Sequence, residues 1–351
     1  MGIIFSIILL FAVIHFLYIF ICIILPEGKE NPEIQGENYS IEHIICFHNE
    51  SKFIKQKLEN CYRLKHKKIH FTFINDNSTD DTLDLLQKYS KNKKNITIID
   101  NKQNIGKNQS QIKAVNKSES DLLLFTDSNV FLEEDAISEL VGSFSSSVGG
   151  LTGNVTIKTE QKKVEFSGKY WNLEKKIKRF QSLFGSVIGF DGGFYCVKRQ
   201  CYNLKRENEL SDLETAFLIF EQQKQVLYIS NAVASELEHR NIKSSFKARI
   251  RASNRVFWSF KRIFKYANKL NYGVLFHFFC HKLSRYLFVI LFVMFSPLMV
   301  IQIIKVSPLL LLVIFIPVVF RILNECFALF IGGLIALSGK EYITWSEKKA
   351  K

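Results

Sequence analysis

No two of the seven cysteines are spaced C-x-x-C; they stand singly at Cys22, Cys46, Cys61, Cys196, Cys201, Cys280 and Cys326. That excludes a zinc ribbon and a disulfide framework and fits a reducing compartment. No internal repeat is visible. Acidic residues are in deficit, 33 against 47 Lys and Arg, giving a net charge of +14. Formal charge is absent from residues 3–25, "IIFSIILLFAVIHFLYIFICIIL". A run of that length can cross a hydrocarbon core of about 30 Å. It has no basic n-region before it and no A-x-A site after it, so it is expected to be an uncleaved anchor rather than a signal peptide.

What is present is apolar and unevenly placed. Hydrophobic residues make up 47% of the 351, with 32 Phe. Residues 286–304 and 308–338 form two further apolar blocks, separated by the short hinge 305–307, which predicts two antiparallel spans. The second carries Arg321 and Glu325 at i,i+4, a spacing that permits an ion pair on one helix face or marks a helix break. Basic residues flank these blocks: Lys261, Arg262, Lys265, Lys269, Lys282 and Arg285 before them, Lys340, Lys348, Lys349 and Lys351 after. The positive-inside rule then puts the central region and the tail in the cytoplasm of a multi-pass protein of the cell membrane. The same placement, and the lack of a recognition motif, argue against nucleic acid as the basic residues' partner.

From residue 41 short β-branched or aromatic runs (41–47, 70–75, 95–100, 121–126) alternate with polar, helix-length segments (50–64, 79–90, 106–118). This predicts an α/β fold with a mostly parallel sheet and flanking helices. Such sheets bind ligands at the carboxyl ends of their strands. Those ends read "FHNE", "NDNSTDDT", "DNKQNIGKN" and "TDSN". Ser78, Thr79 and Asp80 are read mainly as helix caps. For Asp76 and Asp127, at the ends of buried runs, ligand contact competes with capping.

Taken together, "CFHNE…INDNSTDDT…NIGKNQSQIKAV…DLLLFTDSN…GFDGGFYCVKR…SDLETA" resembles the family 2 glycosyltransferases over roughly residues 40–260. These are inverting, nucleotide-sugar-dependent enzymes of the GT-A, Rossmann-like fold. The anchor, the C-terminal spans and the ending "GKEYITW" are similar to membrane-bound members that build cell-envelope polysaccharides. The resemblance implies a donor nucleotide held by Glu50 and Asp76, with Gly106 and Lys107 near its diphosphate. It implies a divalent cation, Mn or Mg, at the Asp127-Ser128-Asn129 element. Asp191, Gly192 and Gly193 fall on the acceptor side, where Phe190 also sits, and Asp212 matches the catalytic base.

Three positions depart from the family pattern. Asn129 replaces the last Asp of D-x-D, and a neutral amide is a weaker ligand for a hard cation. Ser211 stands where an acidic residue commonly precedes the base, and Glu214 competes with Asp212. No Q-x-x-R-W follows; "FKARIRASNRVFW" holds Arg251 as a candidate contact to a diphosphate, or lies as an amphipathic helix with Phe257, Trp258 and Phe260 dipping into the membrane.

The implied organisation is an anchor at 1–25, a cytoplasmic glycosyltransferase domain at 40–240, amphipathic helices at 241–285, spans at 286–338 and a cytoplasmic tail at 339–351. The implied activity moves a sugar from a nucleotide-diphosphate donor, UDP being the commonest, to a lipid-linked or glycan acceptor. Envelope-synthesis partner proteins would accompany it. The alternatives are a processive polysaccharide synthase and an inactive assembly subunit.

Overall fold

A computed structural model describes residues 2–25, 38–158, 165–204, 210–237, 242–307 and 316–342. The start of the expected 308–338 span and the end of the "GKEYITW" stretch lie outside the described residues. The chain divides into two compact units, one of residues 26–239, 266–274 and 343–351, the other of residues 1–25, 240–265 and 275–342.

The first unit is built on an eight-stranded sheet, in spatial order β3-β2-β1-β4-β7-β6-β8-β5. Its strands are β1 (Ile41–Phe47), β2 (Ile69–Asp76), β3 (Ile96–Asn101), β4 (Leu122–Asp127), β5 (Val130–Leu132), β6 (Val148–Lys158), β7 (Phe194–Lys198) and β8 (Gln225–Leu237). Its helices are α2 (Ser51–Arg63), α3 (Thr82–Ser90), α4 (Gly106–Val115), α5 (Ala136–Val141), α6 (Glu165–Leu183) and α7 (Ser211–Glu221). The first half, β3 to β4, is wholly parallel, with Ile41 in register with Ile69 on one side and Leu122 on the other. Near-continuous apolar runs make this so: Ile44, Ile45 and Leu122–Phe125 are fully buried, as strands covered on both faces must be.

Beyond β4 the sheet departs from the expected parallel pattern. β7 runs antiparallel to both β4 and β6, and β5 antiparallel to β8, while β6 and β8 are parallel. The mixed half follows from connectivity. β5 leaves β4 after a two-residue turn and pairs with the distant β8, leaving β4's other edge to the returning β7. Phe125, Tyr195 and Phe190 then stack in sequence at centroid spacings of 4.8 Å. Gly150 makes room for this stack, since a Cβ there would lie 2.5 Å from the Phe190 ring.

The second unit is helical: α1 (Gly2–Ile24), α8 (Ile242–Ile263), α10 (Ser284–Val306), entered through a π-helical turn at Phe278–Leu283, and α11 (Pro317–Leu337); α9 (Tyr272–His277) begins in the first unit and ends in the second. Three helical stretches among the described residues are long and apolar enough to cross a membrane: Phe5–Ile24, Tyr272–Val306 and Val319–Leu337. α1 is tied to the π-helical region by the Tyr18 hydroxyl and His277 Nδ1, 3.0 Å apart. If α8 is read as an amphipathic helix, Phe257, Trp258 and Phe260 are its apolar contacts; Phe257 and Phe260 pack on Tyr286, and the Phe257 ring covers Gly333 of α11. Glu325, read as a possible partner of Arg321, accepts from Arg249 Nε of α8 at 3.0 Å.

Candidate active site

The β2 carboxyl end sets the first wall. Asp76 closes the strand and is 1% exposed. One of its oxygens accepts from the Ile105 N–H at 3.0 Å and from Asn101 Nδ2 at 3.1 Å; the other accepts from the Gly106 N–H at 2.8 Å. The carboxylate therefore caps the start of α4. It thereby holds the turn at Ile105–Gly106, at the end of the strand where the resemblance implies the nucleotide. Gly106 has φ of +85°, a left-handed conformation that a Cβ would strain. The turn delivers the next residue, Lys107, toward β4.

The loops nearby are cross-braced. Asp80 accepts from the N–H and hydroxyl of Thr82, which opens α3, in an Asx turn one residue ahead of the N-cap, Asp81. Ser78 and Thr79 do otherwise: Ser78 Oγ accepts from the Asn49 N–H, and the Thr79 N–H donates to Asn49 Oδ1. Glu50 stands at the N-cap of α2, its N–H given to Thr82 Oγ1 at 3.0 Å. His48 and Asn104, which the sequence did not single out, meet at the same rim, 3.2 Å apart.

β4 supplies the second wall. Asp127 is about one-third exposed at its side chain and accepts from Lys107 Nζ at 2.5 Å. The same ammonium reaches the Gly192 carbonyl at 3.1 Å. Burial alone would lower the Lys107 pKa, but the Asp127 charge and hydrogen bond, with Asp212 beyond, outweigh it and hold the lysine above its ordinary value. Asn129 gives its amide N–H group to Glu236 Oε1 at 3.3 Å and to the Leu237 carbonyl at 3.0 Å. Its Oδ1 is then the atom left to serve as a ligand. Beneath the loop lies Lys57 of α2, fully buried, which sequence reasoning missed. Its signal was a lysine within the apolar stripe Phe53, Ile54, Leu58, Cys61.

β7 and α7 supply the third wall. Phe190, expected at the sugar, is 6% exposed and locked in the aromatic stack. Asp191 is held by Lys178 Nζ of α6 at 3.0 Å, and its other oxygen accepts from the Gly193 N–H at 3.2 Å. Gly192 backs directly onto Asp212: a Cβ there would sit 3.2 Å from Asp212 Oδ2. Gly193 is similarly close to Val130. Asp212 lies in the first turn of α7, where its main-chain carbonyl accepts from the Phe190 N–H at 2.8 Å. Its Oδ1 is buried with no hydrogen-bond partner among the described residues. Glu214 is used differently, its Oε1 accepting the Leu210 N–H at 2.9 Å, so it caps the helix.

Lys107, Asp127, Gly192 and Asp212 thus converge on one cleft, with Asp76 behind Lys107 and Asp191 behind Gly192. Arg251 lies on α8, in the other compact unit. No group of three or more His, Cys, Asp or Glu side chains able to hold a metal converges among the described residues. One carboxylate and one amide oxygen do fit a hard, oxygen-seeking cation that takes its remaining ligands from a diphosphate and water.

Residues 43–203 match the glycosyl transferase family 2 profile. Curated relatives include the poly-beta-1,6-N-acetyl-D-glucosamine synthases of Staphylococcus aureus strain COL, 28% identical over 179 residues, and of Staphylococcus epidermidis, 24% identical over 178. Each alignment takes in 49% of this chain and 42% or 41% of the relative, so the chain spans less than half the length of the curated relatives it matches. The mannosyltransferase PcManGT of Pyrobaculum calidifontis, solved with GDP-Man and Mn2+, superposes with a TM-score of 0.73 at 14% identity, over 96% of this chain and 99% of that one. That likeness is one of fold.

Proposed function

We propose that the chain, whose residues 43–203 match the family 2 glycosyltransferase profile, is a membrane-bound inverting glycosyltransferase of cell-envelope glycan synthesis. Its donor is a nucleoside-diphosphate sugar, a UDP-sugar by preference, and its acceptor a hydroxyl of a lipid-linked glycan or polysaccharide. The catalytic domain faces the cytoplasm, on the positive-inside argument. The observation that carries this reading is the cleft in which Lys107, Asp127 and Asp212 meet around Gly192.

In the proposed reaction the unpartnered Asp212 oxygen takes the proton of the acceptor hydroxyl as that oxygen attacks the anomeric carbon. The new bond from carbon to acceptor oxygen forms while the bond to the diphosphate oxygen breaks, and the nucleoside diphosphate leaves with the bonding pair. One displacement inverts the anomeric centre. Lys107 turns from Asp127 toward the diphosphate and offsets its growing charge. Asp127, with Asn129 Oδ1, would hold a Mn or Mg ion, which when bound supplies further charge neutralisation at the diphosphate. Glu50 flanks the nucleotide side, where Asp76 acts through the Ile105–Gly106 amides. Asp191, Gly192 and Gly193 form the acceptor side, and Arg251 is assigned a phosphate of the donor or of a lipid acceptor.

A screen of nucleotide-sugars with and without Mn2+ or Mg2+, read by release of nucleoside diphosphate, tests the activity. Asp212→Asn should lower turnover by about a thousandfold or more, with donor affinity within about threefold of wild type. Near-normal turnover in that variant would remove Asp212 from the role of base. The named activity of the staphylococcal relatives favours a second reading, polymerisation, which product length on gels separates from single addition.

A further inference from the structure

Lys57 has no place in the mechanism above, yet it is a lysine buried to 0% exposure. Its ammonium donates to Thr126 Oγ1 at 2.9 Å and to the Val130 carbonyl. Those two groups bracket Asp127, Ser128 and Asn129, one at each end of the loop. Thr126 is held from the other side by His43 Nε2 at 2.8 Å. Every element packed on Lys57 contributes a neighbour: His43 from β1, Cys61 from its own helix, Thr126 and Asp127 from β4, and the Phe131 ring of β5 at 5.9 Å. Burial lowers the Lys57 pKa to about 8, with Cys61 and Asp127 opposing the shift; its two oxygen acceptors, Thr126 Oγ1 and the Val130 carbonyl, suit an ammonium donor. His43 is held neutral by burial and by Lys57, and burial raises the Cys61 thiol to about 11. Asp127 is the carboxylate near this charge.

Two ammonium groups flank Asp127, Lys107 bound to it above the loop and Lys57 beneath it, while Asp212 lies behind Gly192 and Glu236 at the Asn129 amide. A bare divalent cation arriving at Asp127 is opposed by both ammonium groups and must displace Lys107. A diphosphate changes the balance: it draws Lys107 to itself and brings at least two negative charges. We propose that Lys57 is a positioning residue and fixed counter-charge for the Asp127–Asn129 loop, so that the loop takes a divalent cation together with a nucleoside diphosphate rather than before it. This rests on the assignment of Asp127 to a cation-diphosphate complex.

The two roles predict opposite signs. If Lys57 only braces the loop, removing it loosens the ligand set and weakens cation binding. If its charge opposes the cation, an uncharged side chain of similar shape tightens binding in the absence of nucleotide. The experiment is a Mn2+ titration at pH 7, by electron paramagnetic resonance, of the full chain in nanodiscs with and without UDP. Wild type should bind Mn2+ at least tenfold more tightly when UDP is present. Lys57→Met should bind Mn2+ alone about tenfold more tightly than wild type, which narrows the UDP effect, and Lys57→Arg should match wild type. Lys57→Gln serves if the Met variant does not fold. Unchanged or weaker Mn2+ binding in the uncharged variants overturns the role of Lys57. Wild type that fails to bind Mn2+ even with UDP overturns the cation site itself, and this inference with it.

Discussion

A single methyl group at position 192 tests how tightly the cleft is drawn. The Cβ of Gly192→Ala would lie 3.2 Å from Asp212 Oδ2, closer than most real Cβ contacts, so the carboxylate must give way by a few tenths of an ångström. Misplacement on that scale is costly to a proton-transfer geometry. Gly192→Ala should lower kcat ten- to a hundredfold, an estimate of about that order, while donor binding changes little. Steady-state kinetics with an independent donor-binding measurement separates the two. At this scale the sequence was partly readable. Asp127 announced itself as an acid at the end of a buried apolar run, whereas Asp212 came from the family resemblance; Lys107 bonds the first and Gly192 backs onto the second. That Glu214 takes the Leu210 N–H at its own helix end was not readable in the sequence. The burial of Phe190 needed Gly150, forty residues away, to make room for its ring.

Among the elements, the start of α4 depends on Asp76 as much as on its own residues. Asp76→Ala would leave the Ile105 and Gly106 N–H groups without their acceptor, at a cost of about 1–3 kcal/mol. Thermal denaturation should show that loss, and donor affinity should fall with it as the Gly106–Lys107 turn loosens. A second clamp ties the starts of β1 and β4. Asp121 accepts from the Ser40 hydroxyl at 2.7 Å and the Ser40 N–H at 2.9 Å, and these bonds hold its pKa below the ordinary carboxylate value. A depressed folded-state pKa means stability that is fully present above the unfolded value, about 3.9, and lost as pH falls through the folded one. The difference in melting temperature between wild type and Asp121→Asn should hold from neutral pH to about pH 5 and shrink below about pH 4. Strands β1 to β4 were legible because buried parallel strands read as unbroken apolar runs. The three-residue β5 was not, since so short a segment carries no period, and its pairing with β8 spans about a hundred positions of chain.

For the whole molecule, the proposed orientation rests on which loops carry lysine and arginine. Lys305→Cys, at the end of α10, should react with a membrane-impermeant maleimide in intact cells, whereas a cysteine at Lys91, at the end of α3, should react only after lysis. Labelling of both in intact cells would reverse the assigned topology. The helical unit shows where composition stops being informative. Hydropathy marks α1, α10 and α11 but says nothing of how α8 is held. That depends on Gly332 and Gly333, where any Cβ would strike Ile250, Ser253 or the Phe257 ring of α8 within 3 Å. It depends also on Ser253, whose hydroxyl donates to the Leu329 carbonyl at 2.7 Å.

The pairing of Thr126 with Phe194 has one further result. The turn leaving β4 and the turn entering β7 open from rungs of the same ladder, with strands about 4.8 Å apart. The gap between the Asp127 loop and the Gly192 turn is thereby pegged to sheet pleating and resists loop drift. On the proposed function, a bulkier sugar would have to find its room outward, since widening the gap would unzip the central strands.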